Sequence, residues 1–352
     1  PEPGPKAAGS APDPATTPGL VCAHHHLYSA LARGMPAPAR TPASFTDILD
    51  LVWWRLDAAL DLPMLRASAM LGALEALEAG TTAVVDHHES PNAIEGSLSV
   101  IAEACGEVGV RVVCAYGVTD RHGHDGAERG LAENHRFLAE GGRALVGVHA
   151  AFTCTDQTLE AAAGLAADHG VGVHVHVAEG QVDAGAPDHL AGLATEAWVL
   201  AHGVHLADDH GLAGTIVHNP RSNMNNGLPY GRPARFANRV ALGTDGIGAD
   251  MLDEYRLAYA RAREEDMATT PESAWSWLQA GLDLVPEAAL DRVTWSYAPM
   301  DPWHLAFTTG VRPLRITVGG RVVLDGGRPT LVDPCEVRAR AAEQARRLFA
   351  RL

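Results

Sequence analysis

The stretch "PGLVCAHHHLYSALARGM", residues 18–35, begins with a short apolar run and then places three histidines in succession. Its first part, "GLVCAH" (19–24), has the apolar and β-branched character of a buried strand. Because side chains two apart on a strand point to the same side, His24 and His26 face one way and His25 faces the other. The stretch therefore predicts a strand that ends in two histidines on one face.

Seven similar runs follow, separated by Ala- and Leu-rich segments of helical spacing. Such alternation is expected when parallel strands are joined by crossover helices. Eight strands in under about 250 residues have the size and rhythm of a (β/α)8 barrel. The predicted fold class is therefore α/β, a (β/α)8 TIM-like barrel. The other seven predicted strands are "TTAVVDHH" (81–88), "VRVVCAYG" (110–117), "ALVGVHA" (144–150), "VGVHVHVA" (171–178), "AWVLAHG" (197–203), "GTIVHN" (214–219) and "NRVALGTDG" (238–246).

The predicted helices have clear ends, and a hairpin follows the barrel. Gly80 and Gly109 stand where a helix would stop. The Gly319-Gly320 pair between two alternating runs is typical of a tight β-hairpin. The predicted elements are helices at 68–80, 93–109, 253–268 and 272–285, the hairpin at 314–327 and a last, amphipathic helix at 336–352.

This pattern predicts three parts: a flexible Pro/Ala-rich leader (1–17), a barrel (18–310), and a β-hairpin with a C-terminal helix (311–352). A lone hairpin is marginal in water and leaves open strand edges, so it must dock on the barrel or on a second subunit. A homodimer therefore remains one of the expectations.

Composition excludes several kinds of partner. The net charge of −16 repels phosphate backbones and anionic lipid, so neither nucleic acid nor a membrane is expected as a partner. No run approaches the roughly 18 apolar residues that a membrane span needs. The five scattered cysteines form no CxxC pair, which favours reduced thiols in a cytoplasmic protein.

Polar side chains recur at the carboxyl ends of the predicted strands, which in a barrel gather around one mouth. A single histidine at such a place is more often a hydrogen-bonded core or rim residue than a metal ligand. Five or more histidines converging on one rim reverse that preference. The residues are His24 and His26 on strand 1, Asp86, His87 and His88 on strand 2, His149 on strand 4, His174, His176 and Glu179 on strand 5, His202 on strand 6, His218 and Asn219 on strand 7, and Thr244 and Asp245 on strand 8.

Three imidazoles and one carboxylate suit Zn²⁺ or another borderline divalent ion better than Mg²⁺ or Ca²⁺. Such an ion lowers the pKa of bound water toward about 7 and so makes hydroxide available. Glu179, three residues past His176, is placed to carry protons from that water to a leaving group. Asp245 could ligate the metal and orient its water, whereas His87 and His174 could equally be core partners.

Six segments of the chain, taken in order, resemble the amidohydrolase superfamily, in particular its cytosine/guanine-deaminase-like and SsnA-type aminohydrolases. The segments are "PGLVCAHHHLYSALARGM" (18–35), "GTTAVVDHHESP" (80–91), "HVHVAEG" (174–180), "VLAHGVHL" (199–206), "VHNPRSNMNNG" (217–227) and "LGTDG" (242–246). The resemblance implies a small β-sandwich beside the barrel. Since only the short leader precedes Pro18, the hairpin is expected to be a reduced remnant of that sandwich.

The resemblance also implies roles for individual residues. His24, His26, His176 and Asp245 would hold one divalent metal, with Zn²⁺ favoured and Fe²⁺ as the alternative. Glu179 would be the proton shuttle. His202 would hydrogen-bond the metal hydroxide or the substrate, so the predicted catalytic residues are Glu179, His202 and Asp245.

The predicted substrate contacts are Ser29, His149, Phe152 and Asn223. The first lies just past His26, and the next two belong to "GVHAAFTCT" (147–155), which matches the family's strand-4 segment. Asn223 and its neighbour Arg221 have an architectural alternative, since "HNPRSNMNN" could be a turn rich in Asx hydrogen bonds.

The leading hypothesis is hydrolytic deamination of a small-molecule heterocycle such as a purine, pyrimidine or triazine, in which metal-bound hydroxide attacks the C–NH₂ carbon and Glu179 moves the protons. The same site could instead expel chloride from a chloro-heterocycle or open a cyclic amide, because all three reactions need only activated water and a proton shuttle. A metal-binding scaffold without turnover is the alternative of another class. Glu179 argues against it, because a structural zinc needs no proton shuttle.

Overall fold

The structure, a computed structural model, describes residues 15–352 and contains all eight predicted barrel strands. Most of the predicted leader thus lies outside the described residues. The strands form where β-branched apolar residues are concentrated, and the barrel strands are buried except for the first two residues of β4. Their bounds are β1 (Thr16–Thr17), β2 (Leu20–His25), β3 (Thr81–Asp86), β4 (Arg111–Val113), β5 (Val146–Ala150), β6 (Val173–Val177), β7 (Val199–His202), β8 (Thr215–His218), β9 (Val240–Leu242), β10 (Arg292–Trp295), β11 (Pro313–Val318), β12 (Arg321–Asp325) and β13 (Arg328–Pro329).

The barrel consists of two parallel sheets, β2-β3-β4 and β5-β6-β7-β8-β9, that meet along two seams. At one seam the amides of Thr244 and Asp245 donate to the carbonyl of His24, at 3.0 and 3.1 Å. At the other, the Val118 amide donates to the Gly147 carbonyl at 3.1 Å. The predicted (β/α)8 barrel is confirmed. The first seam brings the end of β2, the first barrel strand, directly against the end of β9, the eighth.

Helices connect the strands and cover the barrel. Gly80 and Gly109 follow α3 and α4 with φ of +89° and +94°, the left-handed conformation that favours glycine at a helix end. The helices are α1 (Phe45–Ile48), α2 (Trp54–Ala59), α3 (Leu62–Glu78), α4 (Ser97–Val108), α5 (Gly123–Ala139), α6 (Asp156–His169), α7 (Ala186–Leu190), α8 (Pro220–Asn225), α9 (Met251–Glu265), α10 (Pro271–Gln279), α11 (Gly281–Leu284), α12 (Pro302–Phe307) and α13 (Pro334–Phe349).

Shorter helical turns lie in the segments between strands and helices. A single π-helical turn, Leu49–Trp53, joins α1 to α2 and contains the first two residues of the stretch "VWWRLD" (52–57). The 3₁₀ turns are Leu27–Ala32, Asp120–His122, Ala151–Thr153, Gln181–Asp183, Pro233–Arg235 and Pro286–Leu290. None of the helices within 15–352 combines the length and apolar character needed to cross a membrane.

The predicted hairpin is present as β11 and β12, but it does not stand alone. It belongs to a five-stranded antiparallel sheet in the order β1-β10-β11-β12-β13, so residues from before and after the barrel contribute to one sheet. The expectation of a lone hairpin is therefore corrected. β1 is two residues long, too short to show an alternating pattern in the sequence, and Thr16–Thr17 lies within the predicted leader.

This sheet packs on the barrel through Trp295, which is buried. Its indole N–H donates to the Thr17 hydroxyl at 2.9 Å, and its ring lies against Gly80, where a Cβ atom would be 2.1 Å from the ring. A buried ion pair, Arg111 Nη2 to Asp291 Oδ1 at 2.9 Å, adds a second contact between barrel and sheet. The hairpin thus docks on its own barrel.

Candidate metal centre and pocket

Five side chains from the carboxyl ends of four strands converge at the barrel mouth. The ligand atoms of His24, His176, His202 and Asp245 lie within 4.8 Å of one another. His26 joins them, with its Nε2 2.9 Å from Asp245 Oδ1 and 3.2 Å from His176 Nε2. The structure thus brings together all four residues predicted as metal ligands, together with His202. We call these five residues the His/Asp cluster.

Hydrogen bonds at the outer edge of the cluster fix the orientation of two rings. The Nδ1 of His26 lies 2.5 Å from the His87 carbonyl oxygen, and the Nδ1 of His176 lies 2.6 Å from that of His149. Since a carbonyl only accepts, both Nδ1 atoms carry the proton and donate. The Nε2 lone pairs of both rings therefore point into the cluster, and metal-binding histidines are commonly held in this way by a hydrogen bond from the other ring nitrogen.

His24 is held in the same way, by another histidine. Its Nδ1 lies 2.8 Å from His174 Nε2, and its Nε2 faces the cluster with no hydrogen-bond partner among residues 15–352. If His24 uses Nε2 as a ligand, its Nδ1 carries the proton and donates it to His174. His174 thus lies on the side of His24 away from the cluster and orients the His24 ring.

The chemistry of these donors fits a divalent metal. Several imidazole nitrogens and a carboxylate face each other in a buried space. The Nε2 of His202 also lacks a hydrogen-bond partner in the described part of the chain. Unshielded lone pairs at this separation repel one another unless a cation lies between them. Nitrogen donors with one carboxylate match the preferences of zinc and similar ions.

The backbone around the cluster is strained. Ala178, His202 and Asp245 have φ of +47°, +77° and +54°, values that residues other than glycine rarely adopt. Each lies at the carboxyl end of a barrel strand, and Ala178 directly precedes Glu179. Strain of this kind concentrates at functional sites, where the surrounding structure enforces it.

Glu179 lies beside the cluster, with its Oε2 3.6 Å from His202 Nε2 and its Oε1 3.4 Å from the Asn226 amide. Burial raises the pKa of the Glu179 carboxyl to about 7, against the opposing effect of His202. A carboxyl group with a pKa near neutrality can both take up and release a proton. Asp245 is oriented by the Ser222 hydroxyl, which donates to its Oδ2.

The four predicted substrate contacts have different positions. His149 and Phe152 line the pocket above the cluster. Ser29 and Asn223 are not among its lining residues within the described chain: the Ser29 hydroxyl donates to the carbonyls of His26 and Gly246, at 2.7 and 2.9 Å. Asn223 Oδ1 accepts from His202 Nδ1 at 2.9 Å. In the structure both contact the site through these neighbours, and direct substrate contact by the four residues stays a prediction.

The pocket also contains residues that the sequence did not single out as substrate contacts. Aromatic rings form much of its wall, and two acidic side chains lie among them. Six of these residues lie between β2 and α3 and Glu89 follows β3, in segments where periodicity gives no sign of a binding site. They are Tyr28, Phe45, Leu49, Trp53, Trp54, Asp57 and Glu89.

A parallel barrel with a His/Asp cluster at the carboxyl ends of its strands is typical of metal-binding barrel proteins. Comparison with known proteins identifies the family. The model of the amidohydrolase family matches residues 15–280. The chain belongs to the amidohydrolase family.

The chain is similar to the 5'-deoxyadenosine deaminase of Methanopyrus kandleri, with 32% identity over 276 residues, 68% of this chain and 60% of that protein. It thus spans less than two thirds of that relative's length. Among solved structures, it resembles a zinc-containing adenosine deaminase from Xanthomonas campestris (TM-score 0.79, 19% identity, 95% of this chain and 86% of that one). It also resembles the zinc complex of an atrazine chlorohydrolase from Arthrobacter aurescens (TM-score 0.76, 22% identity, 94% and 88%).

Proposed function

We propose that the protein is a metal-dependent hydrolase that removes the amino group from an amino-substituted nitrogen heterocycle. The observation that carries this proposal is the position of Glu179, a largely buried carboxyl next to the His/Asp cluster and on the wall of an aromatic pocket. Such a pocket suits a flat heterocycle, because aromatic side chains stack on its faces. The similarity to a 5'-deoxyadenosine deaminase supports an aminopurine as the substrate ring.

His24, His26, His176 and Asp245 would hold the metal, for which we propose Zn²⁺, with Fe²⁺ as the alternative. When bound, such an ion supplies a Lewis acid that lowers the pKa of water toward about 7. Asp245 is prepared for ligation, since its Oδ2 accepts from Ser222 while its Oδ1 faces His24 and His26.

Glu179 then moves the protons. Its carboxylate takes a proton from water and gives it to the ring nitrogen next to the C–NH₂ carbon, while the water oxygen bonds to that carbon. The proton that remains on the added oxygen then passes through Glu179 to the amino nitrogen, the C–N bond breaks, ammonia leaves and the oxygen becomes the ring carbonyl. His202, oriented by Asn223, can accept a hydrogen bond at Nε2 from the attacking water.

The test is ammonia release from a panel of aminopurines, aminopyrimidines and aminotriazines by zinc-loaded protein. We expect ammonia from at least one aminopurine, and a fall of about 10²- to 10⁴-fold in kcat for Glu179→Gln with the zinc content unchanged. Full activity of Glu179→Gln would remove this residue from the mechanism.

Chloride from a chlorotriazine, without ammonia from any amine, would favour the alternative of a chlorohydrolase, the activity in the name of one structural neighbour. Ring opening of a cyclic amide would favour a cyclic amidohydrolase. A protein that holds zinc and turns over none of these compounds would be the non-catalytic scaffold.

We further propose that the protein works in the cytoplasm. The five cysteines, Cys22, Cys105, Cys114, Cys154 and Cys335, are all free thiols in the structure. Three are fully buried, which is compatible with a reducing compartment and with no disulfide framework.

A further inference from the structure

A second group of charged side chains includes two residues of the wall of the same pocket, Asp57 and Glu89, and Arg121, which contacts them. Asp57 is in α2, Glu89 follows β3, and Arg121 lies in the 3₁₀ turn after β4. The Arg121 guanidinium contacts the Glu89 carboxylate, and its Nη2 is 3.6 Å from Asp57 Oδ2. It also covers the Trp54 ring, 4.3 Å from the ring centroid. We call Asp57, Glu89 and Arg121 the acidic cluster.

The acidic cluster has more negative than positive groups, and its hydrogen bonding is incomplete. Asp57 and Glu89 are only 2% and 4% exposed, yet one guanidinium faces both carboxyls. Asp57 Oδ1 and Glu89 Oε1 receive no hydrogen bond from any donor in the described part of the chain. Burial raises the pKa of both carboxyl groups, and the charge of Glu89 adds to this effect at Asp57. The two carboxyls therefore each have an oxygen that can accept a further hydrogen bond.

The rest of the pocket wall also has more acidic than basic side chains. Its acidic residues are Asp57, Glu89, Glu179, Asp183 and Asp245, and none of the lining residues within 15–352 is Lys or Arg. Such a wall repels carboxylates and phosphates and attracts cations. The aromatic rings nearby, above all Tyr28 and Trp54, can also stabilise a cation through their π faces.

The acidic cluster is close enough to the His/Asp cluster for one small molecule to reach both. Glu89 Oε1 is 3.8 Å from His149 Nε2, and the His149 ring centroid is 5.5 Å from that of His176. On the other side, the Tyr28 ring centroid is 5.4 Å from that of His26. One side chain therefore separates the two clusters along either path.

We propose that Asp57 and Glu89 form a recognition subsite for a cationic N–H group of the substrate, a protonated amine, amidine or guanidine. This inference rests on the proposed function for the reaction at the His/Asp cluster, and it adds the substrate class: a heterocycle that carries a positively charged substituent. The N–H donors of that substituent would complete the hydrogen bonds of Asp57 Oδ1 and Glu89 Oε1, and its positive charge would favour the ionised form of both carboxyls.

The test measures binding without turnover, on zinc-loaded protein, with three compounds of nearly the same shape. Benzamidine is a cation, benzamide is neutral and benzoate is an anion. Because the pocket wall contains Trp53 and Trp54, tryptophan fluorescence can report binding, and calorimetry can confirm it. We expect benzamidine to bind at least about tenfold more tightly than benzamide, and benzoate not to bind at the acidic cluster.

Two variants locate the effect. Asp57→Asn and Glu89→Gln should each lower the preference for benzamidine over benzamide by about tenfold, since each removes a charged acceptor. The matched control is Glu95→Gln, which removes the same charge from an exposed residue paired with Arg129 and should leave the preference unchanged.

Equal binding of benzamidine and benzamide to the wild-type protein, or no binding of benzamidine, would overturn the proposal without any variant. An unchanged preference in folded Asp57→Asn would also overturn it. None of these results depends on ammonia release, so the subsite and the deaminase reaction can fail separately.

Discussion

The pocket has two buried polar clusters that differ in how the fold supports them. The His/Asp cluster is built on strand ends, and its rings are fixed from behind by backbone carbonyls and by His174. The acidic cluster is built on a helix and two loops, and its only internal cation is Arg121. Both leave polar atoms without partners within residues 15–352.

This difference separates two kinds of incomplete site. At the His/Asp cluster, converging nitrogen donors and one carboxylate could hold a small metal ion. At the acidic cluster, oxygen acceptors with a net negative charge require hydrogen-bond donors, which a substrate can supply. The rigid part of the barrel thus suits a permanent cofactor, and the connecting segments suit an exchangeable ligand.

The largest expected effect concerns the metal. His26→Ala removes an Nε2 in contact with both Asp245 and His176, so the zinc content of purified protein should fall from about one ion per chain to nearly none. Metal analysis after purification without chelator measures it.

The neighbouring variant His25→Thr is the control. His25 Nδ1 lies 3.0 Å from the Thr244 hydroxyl and takes no part in the His/Asp cluster, so zinc should be retained. Loss of zinc in His25→Thr, with retention in His26→Ala, would mean that the strand presents its other face to the metal.

The next largest effect is expected at the acidic cluster, on the free energy of unfolding. Arg121→Met leaves two buried carboxyls without their cation and should lower the free energy of unfolding by about 3 kcal/mol. Urea denaturation at neutral pH measures this. Adding Asp57→Asn should restore part of the loss, and a double variant no more stable than Arg121→Met would show that charge balance is not what Arg121 provides.

The strand ends explain why the His/Asp cluster could be predicted from the sequence. Alternation on β2 and β6 places His24, His26, His174 and His176 on the barrel face, and barrel topology then brings the strand ends together. Periodicity did not distinguish His176 from His174. The structure does, since His174 lies behind His24 and His176 faces His26.

The acidic cluster could not be predicted in this way. Asp57 is on a helix that packs beside the mouth, and nothing in its spacing relates it to Glu89 or Arg121. The strand β1 could not be predicted either, because its two residues pair with β10, which lies far along the chain. Contacts between irregular or very short segments depend on tertiary packing, which the local sequence does not encode.

A smaller effect is expected behind the His/Asp cluster. Asn223→Leu removes the acceptor for His202 Nδ1 and should lower kcat by about tenfold, with little change in KM or zinc content. Steady-state kinetics with metal analysis tests this. A rise in KM at constant kcat would instead indicate direct substrate contact, as the sequence had suggested.

The smallest effect is expected at Ser29. Ser29→Ala removes a hydroxyl whose single proton is shared between two backbone carbonyls and should cost about 1 kcal/mol of stability, with activity unchanged. Thermal unfolding and kcat/KM measured together distinguish this from a role in the pocket, where kcat/KM would fall and stability would not.

The antiparallel sheet has a consequence for how the chain folds during synthesis. Thr16 pairs with Thr294, which is 278 residues further along, and the first barrel strand is closed by contacts with Asp245. The ribosome must therefore deliver most of the chain before either contact can form. Until then the apolar strands of the open barrel have unpaired edges, which expose a nascent chain to aggregation. We expect this protein to fold late and slowly, as long-range parallel topologies do, and to benefit from chaperones that hold the unfinished barrel.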